Sequence, residues 1–471
     1  MGQSESKQGE LKVTYRVQTP MTDEVIETFP TATAEDIEHV LAEAHSAAKS
    51  WGALGIEKRA EIVAKIAELF DARKHDLGAI IAEEMGKPLA EGIEEAEFSA
   101  EIFKYYADNG PSFAADEEIP TNSAGKAVIR RLPIGTLLGV MPWNFPYYQV
   151  ARFAAPNLML GNTIILKHAE ICPRSALAIQ QILNDAGVPQ GVYNNVFASH
   201  DHIAEMIADP RIQGVSLTGS ERAGAIIGEQ AGKNLKKAVL ELGGSDPYIV
   251  LDTKDVKAAA KLAWETRMYN TGQACNSNKR LIVMDDIYDE FVVELVALAQ
   301  QMKPADPMQL AESTENSYAP LSSRSAAEGL AEQLKNAVQE GATVHVGGEL
   351  AEDSAYFSPA VVTGIERGSG SYYEEFFGPI AVVNKVSSDE EALELANDSQ
   401  FGLGGAVFSE DKARAEKIAR QLDVGMSNVN TPAGEGAEIP FGGVKRSGFG
   451  RELGPLAMDE FVNKQMYFVA D

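Results

Sequence analysis

Residues 135–146 read GTLLGVMPWNFP, an apolar run that ends in a proline-bracketed loop. They lie within twenty consecutive uncharged residues, 132–151, a length that could cross a membrane as a helix. Pro133, Pro142 and Pro146 exclude that helix, because proline lacks a backbone donor and clashes with the preceding turn. The stretch predicts a buried strand that leads into a tight loop, and we expect no membrane partner.

Further apolar runs follow the one at 135–141, and helical segments separate them. The runs occupy 163–166, 192–197 and 214–217, and 174–185 is one of the intervening helical segments. This alternation is typical of an α/β protein with a parallel sheet. Ligands of such sheets bind at the carboxyl ends of the strands, so the residues that follow each run are the first candidates for a site.

Outside this region, helix signals precede the first run and a second α/β unit follows the last. Thr33 is predicted to open a helix, and 57–86 to form one long helix that stops at Gly86-Lys87-Pro88. Residues 111–133, rich in turn formers, predict a linker followed by a hairpin. The second unit extends from about Gly243 to about residue 440.

Length and charge restrict the class of protein. A chain of 471 residues exceeds one compact core, so two or three domains are expected. The net charge of −28 argues against nucleic acid and anionic membranes as partners. Cys172 and Cys275, the two cysteines, have no disulfide or metal-ligand spacing, and the start MGQSES lacks the features of a signal peptide. We expect a cytoplasmic protein without a metal site.

Polar residues follow the predicted strands at the points where a nucleotide would bind. Lys167 and Glu170 come after the second run and could contact a ribose, while Gly219 and Ser220 come after the fourth and could meet a phosphate at a helix N-terminus. Taken alone, a solvated lysine and an ordinary glycine turn explain these residues as well.

Three further residues have the chemistry of an acyl-transfer site. Cys275 lies among small polar residues in NTGQACNSNKR, where a thiolate would be accessible. The amide of Asn144 is suited to bind an oxyanion, and Glu241 precedes two glycines at a strand end, where partial burial would favour a general base. A structural thiol and a structural glutamate are the alternatives from these residues alone.

Seven ordered motifs resemble the NAD(P)-dependent aldehyde dehydrogenase superfamily over essentially the whole chain. They are PWNFP, LKHAE, TGSERAG, LELGGSDP, NTGQAC, EEFFGPI and PFGGVKRSGFGREL. The residues of LKHA, ELGGSDP and GVKRSGFGREL are most similar to the corresponding motifs of bacterial succinate-semialdehyde dehydrogenases.

The resemblance implies three structural parts. A Rossmann-like cofactor domain would comprise 1–112 and 134–242, and an α/β catalytic domain 243–445. A small β arm, 113–133 with 446–471, would build a homodimer or homotetramer.

The resemblance also assigns roles to residues that match the motifs. Cys275 would be the nucleophile and Glu241 the general base, and Asn144 would complete the oxyanion hole. The cofactor would contact Trp143, Asn144, Lys167, Glu170, Gly219, Ser220, Leu242, Glu375 and Phe377. The implied reaction runs through a thiohemiacetal and a thioester on the cysteine, with hydride transfer to nicotinamide.

Two choices within this chemistry are predicted from single residues. Glu170 favours NAD over NADP, because a carboxylate accepts from the 2′-hydroxyl and repels a 2′-phosphate, although Lys167 could offset that repulsion. Arg152 stands where these relatives place a carboxylate-binding arginine, while Tyr269 replaces a second one. Succinate semialdehyde is therefore the expected substrate, ahead of glutarate semialdehyde or a neutral small aldehyde.

Two other classes use the same residues. In a cysteine hydrolase or acyl-transferase, Glu241 or a histidine would activate Cys275, but Lys167, Gly219 and Glu375 would then have no function. In a non-catalytic scaffold, retention of Cys275, Glu241 and Asn144 together would be unexplained.

Overall fold

A computed structural model describes residues 14–471. Its α-helices are α1 (Ala34–Ala53), α2 (Ile56–Ala72), α3 (Lys74–Met85), α4 (Leu89–Phe113), α5 (Tyr148–Leu160), α6 (Pro173–Asp185), α7 (His200–Ala208), α8 (Glu221–Lys233), α9 (Val256–Met268), α10 (Asp285–Gln301), α11 (Arg324–Gln339), α12 (Asp389–Asn397) and α13 (Lys412–Ala419).

The strands are β1 (Tyr15–Gln18), β2 (Val25–Phe29), β3 (Glu117–Ile119), β4 (Gly125–Pro133), β5 (Thr136–Val140), β6 (Thr163–Lys167), β7 (Tyr193–Asn195), β8 (Ile212–Thr218), β9 (Lys237–Glu241), β10 (Pro247–Val250), β11 (Arg280–Met284), β12 (Lys303–Pro304), β13 (Ser317–Tyr318), β14 (Thr343–Val346), β15 (Ala360–Thr363), β16 (Ile380–Val386), β17 (Phe401–Gly402), β18 (Gly404–Phe408), β19 (Met426–Val429), β20 (Val444–Lys445), β21 (Gly448–Phe449) and β22 (Val462–Ala470).

The first main sheet has six strands in the order β21-β9-β8-β5-β6-β7, and only the β21–β9 pair is antiparallel. Its central strands β5, β6 and β8 are largely apolar and buried, as expected for a parallel sheet with helices on both faces. Leu137 and Ile164 pack into one buried cluster, while their neighbours Leu138 and Ile165 pack into another on the opposite face. The four predicted strand positions and the helix at 174–185 are confirmed within a few residues.

The second main sheet has seven strands in the order β14-β15-β16-β11-β10-β18-β19. All its pairs are parallel except β14–β15. The α/β class is therefore confirmed for both units. The predicted domain boundaries remain a prediction.

A smaller antiparallel sheet, in the order β22-β4-β3, lies apart from these two. It pairs the hairpin predicted within 111–133 with the C-terminal strand. Met466, Tyr467, Phe468 and Val469 of β22 are all exposed. This sheet thus presents apolar side chains on its outer surface.

The N-terminal helices agree with their sequence signals except at one point. Thr33 caps α1 in a capping box with Asp36, and Gly86 ends α3 in a left-handed conformation with φ of 77°. The single helix predicted over 57–86 is wrong, because the chain leaves helical geometry at Arg73, where φ is −110°. Two shorter helices, α2 and α3, thereby pack separately against α4.

Helix α4 is longer than the linker prediction allowed. It extends to Phe113 and contains Pro111, so the linker predicted from residue 111 begins later. Pro111 is tolerated because it lies in the last turn, where its missing N–H removes a single helical hydrogen bond.

Within residues 14–471, no helix is long and apolar enough to cross a membrane. The same residues contain no group of three or more His, Cys, Asp and Glu side chains arranged to hold a metal ion.

Candidate active site

Two loops from different halves of the chain meet: the loop of Asn144 follows the carboxyl end of β5, and the loop of Cys275 precedes the amino end of β11. Asn144 lies between β5 and α5, and its Nδ2 donates to the carbonyl oxygen of Gln273 at 3.1 Å. Asn270 returns a hydrogen bond from its Nδ2 to the carbonyl oxygen of Asn144 at 2.9 Å. These bonds hold the predicted oxyanion donor beside the loop of the predicted nucleophile.

The loop of Cys275 begins with a strained turn. Asn270 and Thr271 have φ of 50° and 51°, values that non-glycine residues seldom adopt. The backbone N–H of Asn270 donates to the buried carboxylate of Glu91 at 2.8 Å, which helps to hold the turn. Cys275 follows it, partly exposed. The strain is thus located directly before the thiol.

Glu95 of α4 holds the other loop. Its Oε1 accepts from the backbone N–H groups of Tyr147 and Tyr148, at 2.8 and 3.1 Å, at the start of α5. Its Oε2 forms an ion pair with Lys87, and both side chains are almost fully buried. A helix outside both sheets therefore positions both catalytic loops.

A cavity of about 510 Å³ opens onto Cys275. Aromatic rings form much of its wall, contributed by Phe98, Phe145, Tyr148, Tyr269 and Phe441. Its acidic side chains include Glu94, Glu265 and Glu435. Among the described residues, no lysine, arginine or histidine lines it. The cavity is therefore large enough for a small aldehyde, and it combines aromatic surfaces with acidic side chains.

Glu241 ends β9 and lies buried behind this cavity. Neither of its carboxylate oxygens has a hydrogen-bond partner among the described residues. Burial, and then repulsion by Glu452, raise its pKa well above the ordinary value, whereas Arg152 and Arg451 act in the opposite direction. An unpartnered carboxylate with a raised pKa has the properties of a general base.

Arg152, the first predicted substrate residue, lies on α5. Its guanidinium is fully buried, forms an ion pair with Glu452, and donates to Thr218 at 3.4 Å. The guanidinium also faces the rings of Tyr148 and Phe441, at 4.8 and 4.3 Å from their centroids. Protein groups occupy the donors of Arg152 in this arrangement, and the fork around a substrate carboxylate stays a prediction.

Tyr269, the second predicted substrate residue, does line the cavity. Its ring is 37% exposed and stacks on Phe145 with a centroid distance of 6.1 Å. At the position where some of the similar proteins have a second arginine, this chain therefore has an aromatic ring and a hydroxyl.

The predicted adenosine-binding residues meet at the end of β6. Lys167 forms an ion pair with Glu170 at 2.5 Å, and His200 lies 3.8 Å from the same carboxylate oxygen. Burial alone would raise the pKa of Glu170, but attraction by Lys167 and a hydrogen bond from it lower that pKa overall. Glu170 is therefore held as a carboxylate.

The predicted phosphate-binding turn caps α8. Ser220 is exposed at the N-cap, and Gly219 has no side chain closer than 3.6 Å to the position of an added Cβ. Leu242 lies behind the turn, where a Cβ on Gly224 would come within 2.5 Å of it. The donors of the open helix terminus, with the carboxylate of Glu170 as the predicted ribose acceptor, have the chemistry that fits a dinucleotide.

A third group of predicted cofactor residues gathers near Cys275. Glu375 accepts from the N–H of Gly244 at 3.2 Å, and a Cβ on Gly243 would lie 2.3 Å from the other oxygen of that carboxylate. Trp143 meets Phe377 edge to face at 5.7 Å. The glycine pair thus permits a close approach that a larger residue would block.

Sequence reasoning missed four buried charged residues. Glu452, Lys279, Glu91 and Glu95 all contact or face residues of the site. Glu452 lies in the segment GFGREL and Lys279 in NTGQACNSNKR, so both are close in sequence to residues already singled out, and this proximity could have marked them as candidates. No comparable signal marked the two glutamates of α4.

Comparison with known proteins agrees with this geometry. Residues 7–467 match the model of the aldehyde dehydrogenase family. The chain belongs to the aldehyde dehydrogenase family, and it is an enzyme of that class.

Named relatives show which members it resembles. A succinate-semialdehyde dehydrogenase [NADP(+)] of Deinococcus radiodurans is 48% identical, over 95% of this chain and 93% of that protein. A succinate semialdehyde dehydrogenase [NAD(P)+] of Escherichia coli K12 is 40% identical, over 95% of this chain and 96% of that protein. The crystal structure of succinic semialdehyde dehydrogenase from Streptococcus pyogenes with NADP+ superposes with a TM-score of 0.93, at 40% identity, covering 97% of this chain and all 100% of that one.

Proposed function

We propose that this aldehyde dehydrogenase oxidises succinate semialdehyde to succinate, with a nicotinamide dinucleotide as the hydride acceptor. The observation that carries the proposal is the joining of the Asn144 loop to the Cys275 loop at the floor of a small-molecule cavity. The names of the relatives support the choice of substrate. A hydrolase is less well supported, because it leaves the strand-end residues Lys167, Glu170 and Gly219 without a function.

The first half of the reaction uses Cys275 and Asn144. The thiolate sulfur forms a bond to the aldehyde carbon, and the carbonyl electrons move to its oxygen as an oxyanion. The amide of Asn144 is positioned to donate to that oxyanion. A bound nicotinamide ring would accept the hydride that leaves the aldehyde carbon as the oxyanion re-forms the carbonyl bond, and a thioester would remain on Cys275.

The second half uses Glu241. Its carboxylate takes a proton from a water molecule, and the resulting hydroxide attacks the thioester carbon. The carbon–sulfur bond then breaks, which releases the carboxylic acid and restores the Cys275 thiolate. The raised pKa of Glu241 makes it a stronger base than an exposed glutamate.

The distal carboxylate of the substrate would meet neutral donors. Tyr148 and Tyr269 offer hydroxyls in the cavity, and the charge of Arg152 lies directly behind the rings of Tyr148 and Phe441. Arg152 would thus attract the carboxylate from behind the wall without touching it. Glutarate semialdehyde, which has the same distal carboxylate, is one alternative. A neutral small aldehyde is the other, since the lining carboxylates give an anionic substrate no added attraction.

NAD is our proposed cofactor, with NADP as the alternative. The Deinococcus radiodurans relative is named for NADP(+), and the Escherichia coli relative for NAD(P)+. In this chain, however, Lys167 is engaged by Glu170, so its charge is partly neutralised for a 2′-phosphate. The carboxylate is left to accept from a 2′-hydroxyl.

We also propose a cytoplasmic homodimer or homotetramer formed through the small sheet. The apolar side chains of β22 are exposed in the isolated chain, with Met466 at 65% and Tyr467 at 49%. A second copy of the chain placed on this sheet would remove them from water.

An aldehyde panel tests the proposed reaction. We expect succinate semialdehyde to give a kcat/KM about tenfold or more above that of butanal, with glutarate semialdehyde between them. The measurement is the formation of reduced nicotinamide. Cys275→Ala should lower the rate on the order of a thousandfold or more. Equal rates for Cys275→Ala and the unaltered enzyme would refute the proposed nucleophile.

Arg152→Lys distinguishes a direct carboxylate ligand from a buried ion pair. Because the lysine keeps the charge beside Glu452 but loses the fork, we expect KM for succinate semialdehyde and for butanal to change by a similar factor. Steady-state kinetics with both aldehydes measures this. If KM rose about tenfold or more for succinate semialdehyde alone, Arg152 would be a direct ligand of the substrate carboxylate.

Glu170→Ser tests the choice of cofactor. The substitution removes the carboxylate that repels a 2′-phosphate, and it frees the ammonium group of Lys167 to attract that phosphate. The ratio of kcat/KM for NADP to kcat/KM for NAD should therefore rise about tenfold or more. Glu221→Ser is the matched control, since this partly exposed glutamate of α8 pairs with Arg446 instead. A preference for NADP in the unaltered enzyme would show the NAD assignment to be wrong.

A further inference from the structure

Lys279 is a buried lysine on the loop of Cys275 that the proposed reaction leaves without a role. Its side chain is 1% exposed, and its Nζ lies 3.0 Å from a carboxylate oxygen of Glu375. The same Nζ donates to the carbonyl oxygens of Ala274 and Cys275, at 2.6 and 2.8 Å. Three acceptors therefore match the three donors of the ammonium group.

The surroundings of Cys275 show why this cation matters. Burial raises the pKa of the Cys275 thiol to about 11, which disfavours the thiolate that attack on an aldehyde requires. The charged and titratable groups that face the thiol are Arg152 and Lys279, which lower its pKa, Glu241 and Glu375, which raise it, and the hydroxyl of Tyr148. The thiolate thus depends on two cations.

These two cations are not equivalent. Arg152 lies on α5 and is committed to the buried carboxylate of Glu452. Lys279 lies on the same loop as the thiol and bonds the carbonyl oxygen of Cys275 itself. The acidic groups that face Lys279 are Glu375 and the buried Asp246. Of the two, Lys279 can therefore influence both the charge and the orientation of the nucleophile.

We propose that Lys279 is a positioning residue that fixes the carbonyl groups of the nucleophile's loop and supplies the positive charge that favours the Cys275 thiolate. Glu375, the predicted ribose ligand, holds the other side of this ammonium group and limits its effect on the thiol. The inference rests on the proposed function in one respect, the use of Cys275 as the nucleophile.

Alkylation of Cys275 by iodoacetamide in the cofactor-free enzyme tests this role without any aldehyde. The rate is measured against pH, and mass spectrometry of the peptide identifies the alkylated cysteine. In Lys279→Met we expect the midpoint of the profile to rise by about one pH unit, and the rate near neutral pH to fall about tenfold. In Lys279→Gln, which keeps an amide donor without the charge, the midpoint should rise similarly.

Lys335→Met is the matched control, because this lysine is 62% exposed and pairs with Glu332 far from the thiol. Folding of each variant is checked by its thermal midpoint. A folded Lys279→Met variant whose alkylation profile has the same pH midpoint as the unaltered enzyme would overturn the proposal. This holds whether or not the enzyme oxidises the aldehydes of the panel.

Discussion

The active site depends on the reciprocal hydrogen bonds between the loops that contain Asn144 and Cys275. Asn144 donates to Gln273, and Asn270 donates back to Asn144, so neither loop can shift alone. Helix α4 adds Glu91 and Glu95, which accept from backbone N–H groups of the two loops. Asn144, Gln273, Asn270, Glu91 and Glu95 are all buried, and breaking one bond would leave a polar group unsatisfied at a cost of about 1–3 kcal/mol.

Buried charged groups give Glu241 and Glu170 opposite pKa shifts. Glu241 keeps two unpartnered oxygens and a raised pKa, as a base requires, while Arg152 and Glu452 balance one another behind it. Glu170 instead keeps a lowered pKa through Lys167, as a ribose acceptor requires. The two pKa values therefore differ because burial, with repulsion by Glu452 added to it, prevails at Glu241, whereas the bonded ammonium group of Lys167 outweighs burial at Glu170.

Sequence signals predicted those features that depend on neighbours along the chain. Strand positions, the Thr33 cap and the Gly86 stop follow from local periodicity and turn chemistry. The break at Arg73 and the extension of α4 through Pro111 went unpredicted, because packing against other helices outweighs local preference. Motif matching supplied the candidate site, but the burial of Arg152 depends on Glu452, which lies about three hundred residues away in the sequence.

In the proposed reaction Cys275 is the nucleophile and Glu241 is the general base that activates water. Trapping the acyl-enzyme tests these two roles most directly. Glu241→Gln keeps the shape of the side chain but removes the base. Mixed with succinate semialdehyde and NAD, this variant should give one stoichiometric burst of reduced nicotinamide, then little turnover. Intact-protein and peptide mass spectrometry should show a lasting acyl group on Cys275. Continued turnover at the unaltered rate with Cys275 unmodified would contradict the claim.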